Sequence, residues 1–282
     1  MYETKEYGYN ITHFESLSEV VQLLESKLDE IKRRFSILGN FRREPEFFGT
    51  SNIEKTIEKL KYGNIKITQN FLNNIKDIKS EDGEDNEGYF MDVQGVAYDM
   101  GAVVAGEPEC CINQGAPNTK PYLKMYIDTG YSGDVEQETI DNRGIAIYEF
   151  IKTLLTKGYI LDIYFIHFKN CYTNEGSRLE AQTFKVTTEN LIISQIAFCG
   201  SCEFFRAICW LLDAIQMEKC EYTGEGNSTL SDEVIKDFRK NKCLYIPSGY
   251  KYSAFDMCTL ENARKYVAKI YNNYVEGKNE NN

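Results

Sequence analysis

The chain has 282 residues, 32 Lys and Arg against 43 Asp and Glu for a formal net charge of -11, and 42% apolar and 13% aromatic side chains. That apolar content excludes disorder for most of the length, and a chain of this size buries about 75% of its unfolded surface on folding without disulfides or metals. The charge argues against a general nucleic-acid binder, which needs a basic face, and no run approaches the roughly 18 apolar residues of a membrane span. No secretion signal opens the sequence, and the nine cysteines are odd in number and mostly set in apolar runs. Both features point to a reducing, cytoplasmic compartment, with cysteines used as small hydrophobes.

Taken in order, "SLSEVVQLLESKLDEIKRRFSILG" predicts a long helix with Ser16 and Glu19 as a capping box and Gly39 as its stop. Leu17, Val21, Leu24, Leu28, Ile31, Phe35 and Leu38 form a stripe about three heptads long. Such a stripe serves either packing on the chain's own core or pairing with a partner or second copy. A second helix follows in "GTSNIEKTIEKLKYG", with Ser51 and Glu54 as its capping box and Gly63 as its stop, and a third in "IKITQNFLNNIKDI". The run "KSEDGEDNEG" has no apolar side chain and reads as a solvated boundary, giving a helical N-terminal region over residues 1–79.

Beyond it the period changes. Short β-rich runs punctuated by Gly95, Gly101 and Gly106 predict strands with tight turns, and "YLKMYID" predicts a strand ending in Asp128. A polar loop of about fourteen residues leads to a helix, "RGIAIYEFIKTLLTKG", opened by Asn142 and Arg143 and closed by Gly158. "YILDIYFIHF" is apolar on both faces, as in a central covered strand, and "RLEAQTFKVT" predicts its neighbour across a turn. A buried helix in "CEFFRAICWLLDAIQM", a short helix in "EVIKDFRKN", a strand in "CLYIPSG" and a helix capped by Thr259 complete the order. The alternation predicts an α/β domain over 89–276, a mostly parallel sheet covered by helices, with a disordered tail over 277–282. Ligands of such sheets sit at the carboxyl ends of strands near the topological switch point, and Asp128 occupies such a place.

From Asp128 onward the order of elements resembles a von Willebrand factor A-type domain, a Rossmann-like fold. The resemblance implies a Mg²⁺ site of the form Asp-x-Ser-x-Ser, completed by a distant Thr and a second Asp. Here the pentapeptide is Asp128-Thr129-Gly130-Tyr131-Ser132, and the later strand ends in "YIPSG", with Ser248 where the second Asp belongs. A hard cation needs about six oxygens, so the ligand set is degenerate and no metal or other cofactor is expected. Across residues 47–160, "FFGTSNIEKTIEKLKYG", "VAGEPECCI" and "IDNRGIAIYEFIKTLLTKGY" also resemble proteins of bacteriophages and related mobile elements. That resemblance implies an origin in a bacterial host cell rather than an activity.

Other candidates compete with ordinary structural roles. "CGSC", Cys199 to Cys202, precedes a helix, where a lowered thiol pKa would suit redox chemistry; Cys209 and Cys220 would be needed for zinc, and plain packing is the simpler reading. "GEPE" places Glu107 and Glu109 two apart in a Gly/Pro turn, a carboxylate pair for acid–base work or a solvated turn. Arg143 at a helix start would oppose the dipole unless Asp128, Glu107 or Glu109 compensates. His13 and His167 are too few for a triad, and His167 reads as a hydrogen-bonded core residue.

The binding residues expected are therefore Asp128, Ser132, Arg143, Glu107 and Glu109. The reading is a non-enzymatic module that binds another protein, of phage or host, rather than a membrane or nucleic acid, with self-association through the N-terminal helix as a variant. The alternative is an enzyme or nucleotide-binding protein using the same acids.

Overall fold

The computed structural model describes residues 1–6, 9–38, 48–50, 52–74, 89–92, 97–98, 111–114, 121–131, 135–173, 176–186, 193–216, 222–224, 238, 242–247 and 257–279. In chain order these form β1 (Tyr2–Glu6), β2 (Tyr9–Phe14), α1 (Leu17–Ser26), α2 (Leu28–Leu38), α3 (Ile53–Tyr62), α4 (Ile65–Asn74), β3 (Tyr89–Asp92), β4 (Ala97–Tyr98), β5 (Cys111–Gln114) and β6 (Tyr122–Asp128). There follow α5 (Gln137–Thr156), β7 (Ile160–Thr173), β8 (Gly176–Val186), α6 (Ile193–Cys199), a π-helical segment (Phe204–Cys209) running into α7 (Trp210–Gln216), β9 (Tyr222–Gly224), β10 (Cys243–Ile246) and α8 (Leu260–Asn279).

The main sheet has the order β1-β2-β8-β7-β6-β10, with β9 also on β7; β3, β5 and β4 form a separate antiparallel sheet. At one end of the main sheet β7-β6-β10 run parallel, and β2 runs parallel to β8, whereas β7–β8, β7–β9 and β1–β2 are antiparallel. The α/β class and the parallel strands β7-β6-β10 match the expectation. The N-terminal region does not begin as a helix: β1 and β2 pair antiparallel, and β2 covers β8, which is therefore internal. "NITHF" alternates Ile11 and His13 toward one face, a period-2 signal masked by its small size next to a strong helix.

Strand alternation divides the buried residues cleanly. Leu123, Met125 and Ile127 of β6, Ile163 and Phe165 of β7, and Phe184 of β8 share one core with buried side chains of α1, α3, α5, α6, α7 and α8. Tyr126, Ile166, Phe168, Ala181, Tyr245 and Phe238 form a second cluster on the opposite face. Among the described residues, then, the helices gather on one face, and the other is buried beneath aromatic side chains.

The long N-terminal helix is two. α1 ends at Lys27, whose backbone leaves the helical region (φ -105°, ψ 7°), and α2 starts afresh at Leu28. Ser16 accepts from the Glu19 amide as expected, and the Glu19 carboxylate accepts from Glu15 N and the terminal amine. Leu17, Val21, Leu24 and Ile31 are buried in the chain's own core, so this part of the stripe is spent internally and offers no seam for a second copy. In α3 the cap is Asn52, which accepts from Lys55 N at 2.9 Å, not Ser51. Asn64 opens α4 in the same way. α8 runs on through Asn279, so residues 277–279 of the expected tail are helical.

Two ion pairs lock the layers. Arg264 of α8 forks onto Glu149 of α5 with two 2.6 Å bonds. Lys59 of α3 reaches both oxygens of Glu203 at 2.7–2.8 Å, and Thr56 adds a third bond, at 3.0 Å. The N-terminal helices are thus welded to the α/β core rather than forming a unit of their own.

Gly63 caps α3 at φ +82°, and a Cβ there would overlap the Ser194 side chain. Gly63→Ala should therefore destabilise the fold by about 2 kcal/mol or more, from backbone strain plus the clash. Chemical denaturation measures it, and an unchanged midpoint would mean that α3 does not dock on α6 as described.

Candidate functional site

β6 lies between two parallel neighbours, and the chain leaves it for β7 through α5 but forms β10, on its other side, only later. Its carboxyl end is the topological switch point. β7 outruns β6: their last pair is Asp128 with Ile166, and β9 takes up the same edge only at Asn170. His167, Phe168 and Lys169 therefore flank a gap in the sheet beside the end of β6.

Asp128 is buried there at 3% exposure. Gly130 N donates to its Oδ1 at 2.7 Å, and the Tyr245 hydroxyl donates to Oδ2 at 2.6 Å. Burial pushes the Asp128 pKa up, against the opposing pull of those two donors and of Arg143. The same desolvation, reinforced by the Asp128 charge, lifts Tyr245 well above the ordinary tyrosine value. Thr129 turns back onto β7, its N–H and its hydroxyl both reaching Ile166 O, at 2.8 and 3.2 Å.

Arg143 is nearly inaccessible, at 2% exposure. Its Nη2 donates to the carbonyls of Asp128 (2.9 Å), Pro247 (2.6 Å) and Ile246 (3.4 Å), and Nη1 donates to the Tyr131 hydroxyl (3.0 Å). The guanidinium also lies over the Tyr131 ring, 5.5 Å from its centroid. One cation thus closes the carboxyl ends of β6 and β10 together. A small cavity of about 10 Å³ remains beside it, bounded by Thr129, Tyr131, Gly144, Gly200 and Ser201, and the Arg143 Nε is buried without a partner.

Arg143 and Asp128 do meet, as expected, but through the aspartate's backbone carbonyl; its carboxylate belongs to Tyr245 and Gly130. Arg143 also does not open its helix. α5 starts six residues earlier at Gln137, with Glu136 as cap, so Arg143 lies in the second turn, beyond the reach of the dipole penalty. Asn142 is not a cap and instead donates to Cys258 O. The loop after Asp128 shortens accordingly to residues 129–136. Ser132, Ser248, Glu107, Glu109 and Cys220 lie outside the described residues.

A second polar group lines the gap from the helix side. His167 Nε2 sits 3.0 Å from Asp213 Oδ2, and Gln182 Nε2 donates to Asp213 Oδ1 at 3.0 Å. Lys169, 1% exposed, stands 3.6 Å from Asp213 and 3.7 Å from Glu180. His167 Nδ1 has no partner. His167 is the hydrogen-bonded core residue expected, but Lys169 and Asp213 were not singled out. Their signals are present in the sequence: two basic residues at alternate positions of an apolar strand, "IHFK", and a lone acid in the apolar helix "CWLLDAI".

Cys199 ends α6, and Cys202 follows one turn later; both are buried thiols. Burial pushes the Cys202 thiol up to about 11 and Cys199 higher still, the opposite of redox activation. Gly200 sits between them because a Cβ there would lie 3.1 Å from Gly144 Cα of α5. Among the described residues no group of three or more His, Cys, Asp or Glu is placed to hold a metal ion.

Two outcomes follow. Arg143→Lys keeps the charge but loses the fork over carbonyls and Tyr131, and should cost about 2–4 kcal/mol in chemical denaturation. Treating the native protein at pH 8 with a thiol reagent should label Cys258, the exposed one among the five cysteines with described side chains, and leave Cys199, Cys202, Cys209 and Cys243 protected on peptide mapping. Fast labelling of Cys199 or Cys202 would contradict their burial.

No curated protein and no solved structure matches the chain, and no described helix is long and apolar enough to cross a membrane. A family model described as a domain of unknown function (DUF7192) matches residues 3–270, nearly the whole sequence, and the chain belongs to that family.

Proposed function

We propose that the chain is a non-enzymatic protein-interaction module on a von Willebrand A-like core, encoded by a bacteriophage or related element, acting in the host cell and binding a phage or host protein. The observation that carries this reading is the state of the switch point. Where open α/β sheets receive their ligands, the Arg143 guanidinium spans the ends of β6 and β10, and the Asp128 carboxylate is held by Tyr245 and Gly130. Both charges are consumed within the fold, so the crevice is braced rather than poised for chemistry. The von Willebrand A likeness rests on the β6–α5–β7 unit, with β10 parallel on the far side of β6, together with the sequence pattern at Asp128. The phage origin rests on the sequence resemblance.

The rival, an enzyme or nucleotide-binding protein, draws its support from the His167–Asp213 pair and its unpartnered Nδ1, the geometry of an oriented base. A thermal-shift screen with Mg²⁺, Mn²⁺ and nucleotides separates the two. A ligand at 100 times its Kd adds about 2.7 kcal/mol of stability, a shift easily seen. We expect no saturable shift from these compounds and a stoichiometric protein partner in pull-downs from host cells carrying the element. A saturable stabilisation lost in Asp128→Ala or His167→Ala would overturn the module reading in favour of its rival.

A further inference from the structure

Asp141 stands on α5 facing the turn that joins α6 to the π-helical segment. One carboxylate oxygen accepts the Cys202 backbone N–H; the other, Oδ1, is buried without a partner. Asp141 as a whole is half-buried, and its chain neighbour Ile140 packs with Val135, Tyr131, Cys202 and Phe205 in an apolar cluster apart from the main core. Arg206, on the π-helical segment that follows, donates to Val135 O at 2.6 Å. Glu203, on the same turn, is held by Lys59. Cys202 is the other titratable group on that segment, and Tyr131 faces from the loop after β6. On its own helix, Glu138 stands one turn away with like charge.

An ionised carboxylate with an orphaned oxygen in apolar surroundings costs free energy, whereas a protonated one costs far less. The remedy open to the charged form is to swing toward water, giving up the Cys202 amide. That amide belongs to the turn whose Gly200 and Ser201 bound the cavity beside Arg143 and whose Glu203 anchors α3. We propose that Asp141 is a proton switch: protonated, it closes the junction between α5 and the Cys202 turn; ionised, it loosens that junction. The proposal is independent of the protein-binding reading, since it concerns a group that reading does not use.

The direction in pH follows from linkage. Desolvation first, with Glu138 adding to it and the Cys202 amide opposing, raises Asp141 from 3.8 to about 6. Between those values the folded state binds more protons than the unfolded one, so this group's contribution to stability grows as pH falls through 6 and levels off near 4.

The test compares wild type with Asp141→Asn, whose neutral amide stands in for the protonated acid. Thermal unfolding from pH 4 to 8 should place the variant's Tm above wild type at pH 8, with the gap narrowing below pH 6 and closing near pH 4. A gap of constant size at every pH would overturn the proposal. Hydrogen exchange of the amides of residues 200–205, corrected for intrinsic rates, should be faster at pH 7.5 than at 5.5 in wild type and unchanged in the variant; equal protection in wild type would refute the loosening. Should the variant fail to fold, ¹³C titration of the wild-type Asp141 carboxyl decides: a midpoint near 6 supports the switch, and one near 4 ends it.

Discussion

The carbonyl oxygens at the carboxyl ends of β6 and β10 converge in the interior, and a single guanidinium satisfies them. Buried carbonyls without donors cost free energy one by one, and buried charge costs more unless hydrogen-bonded. Arg143 answers both demands at once, its fork reaching three carbonyls and Tyr131 while Asp128 lies alongside. The small residues Gly144 and Gly200, which let α5 and the turn after α6 approach closely, border the cavity beside this cation. Lysine, a point charge without a planar fork, does not offer the same geometry.

Around that brace the helix layer is tied down by a different device. The segment from Cys199 to Gln216 changes from α to π and back to α, with every side chain from Phe204 to Cys209 buried. π-Helical turns are rare and tend to occur at functional sites. Here the segment brings Cys209 to 3.9 Å from the Thr129 hydroxyl and lets α7 present Asp213 to His167. Glu203, just before it, carries the load of α3 through Lys59 and Thr56. The gap between β6 and β9 is therefore faced by polar groups from β7, β8 and α7, held from behind by the N-terminal helices.

Much of the sheet was legible in the sequence. "YLKMYID" is β6 residue for residue, and "YILDIYFIHF" is a central strand because it is apolar at both parities, as a strand buried on two faces must be. Helix ends marked by glycine at positive φ, Gly63 and Gly158, also fell where the sequence placed them. Misread boundaries have local causes. Lys27 breaks a continuous apolar stripe that no propensity argument would interrupt. Gln137 to Asn142 looks like loop because all but one of its residues are polar, although Thr139 and Ile140 are both buried. The β1–β2 pair leaves little trace because both strands are short and β1, "YETKE", is mostly charged.

Composition and period alone determined the α/β class, the parallel strand at Asp128, and the use of Cys199 and Cys202 as packing residues, because each depends on burial patterns that repeat within a few residues. Tertiary structure alone decided which groups meet: Tyr245 with Asp128, Arg143 with the backbone of Ile246 and Pro247, Asp213 with His167 and Lys169, Glu203 with Lys59. These partners stand between 44 and 144 residues apart. No local signal encodes such pairings, since a hydrogen bond or ion pair is specified by where strand order and helix packing deliver two side chains, and that order is set by the whole core.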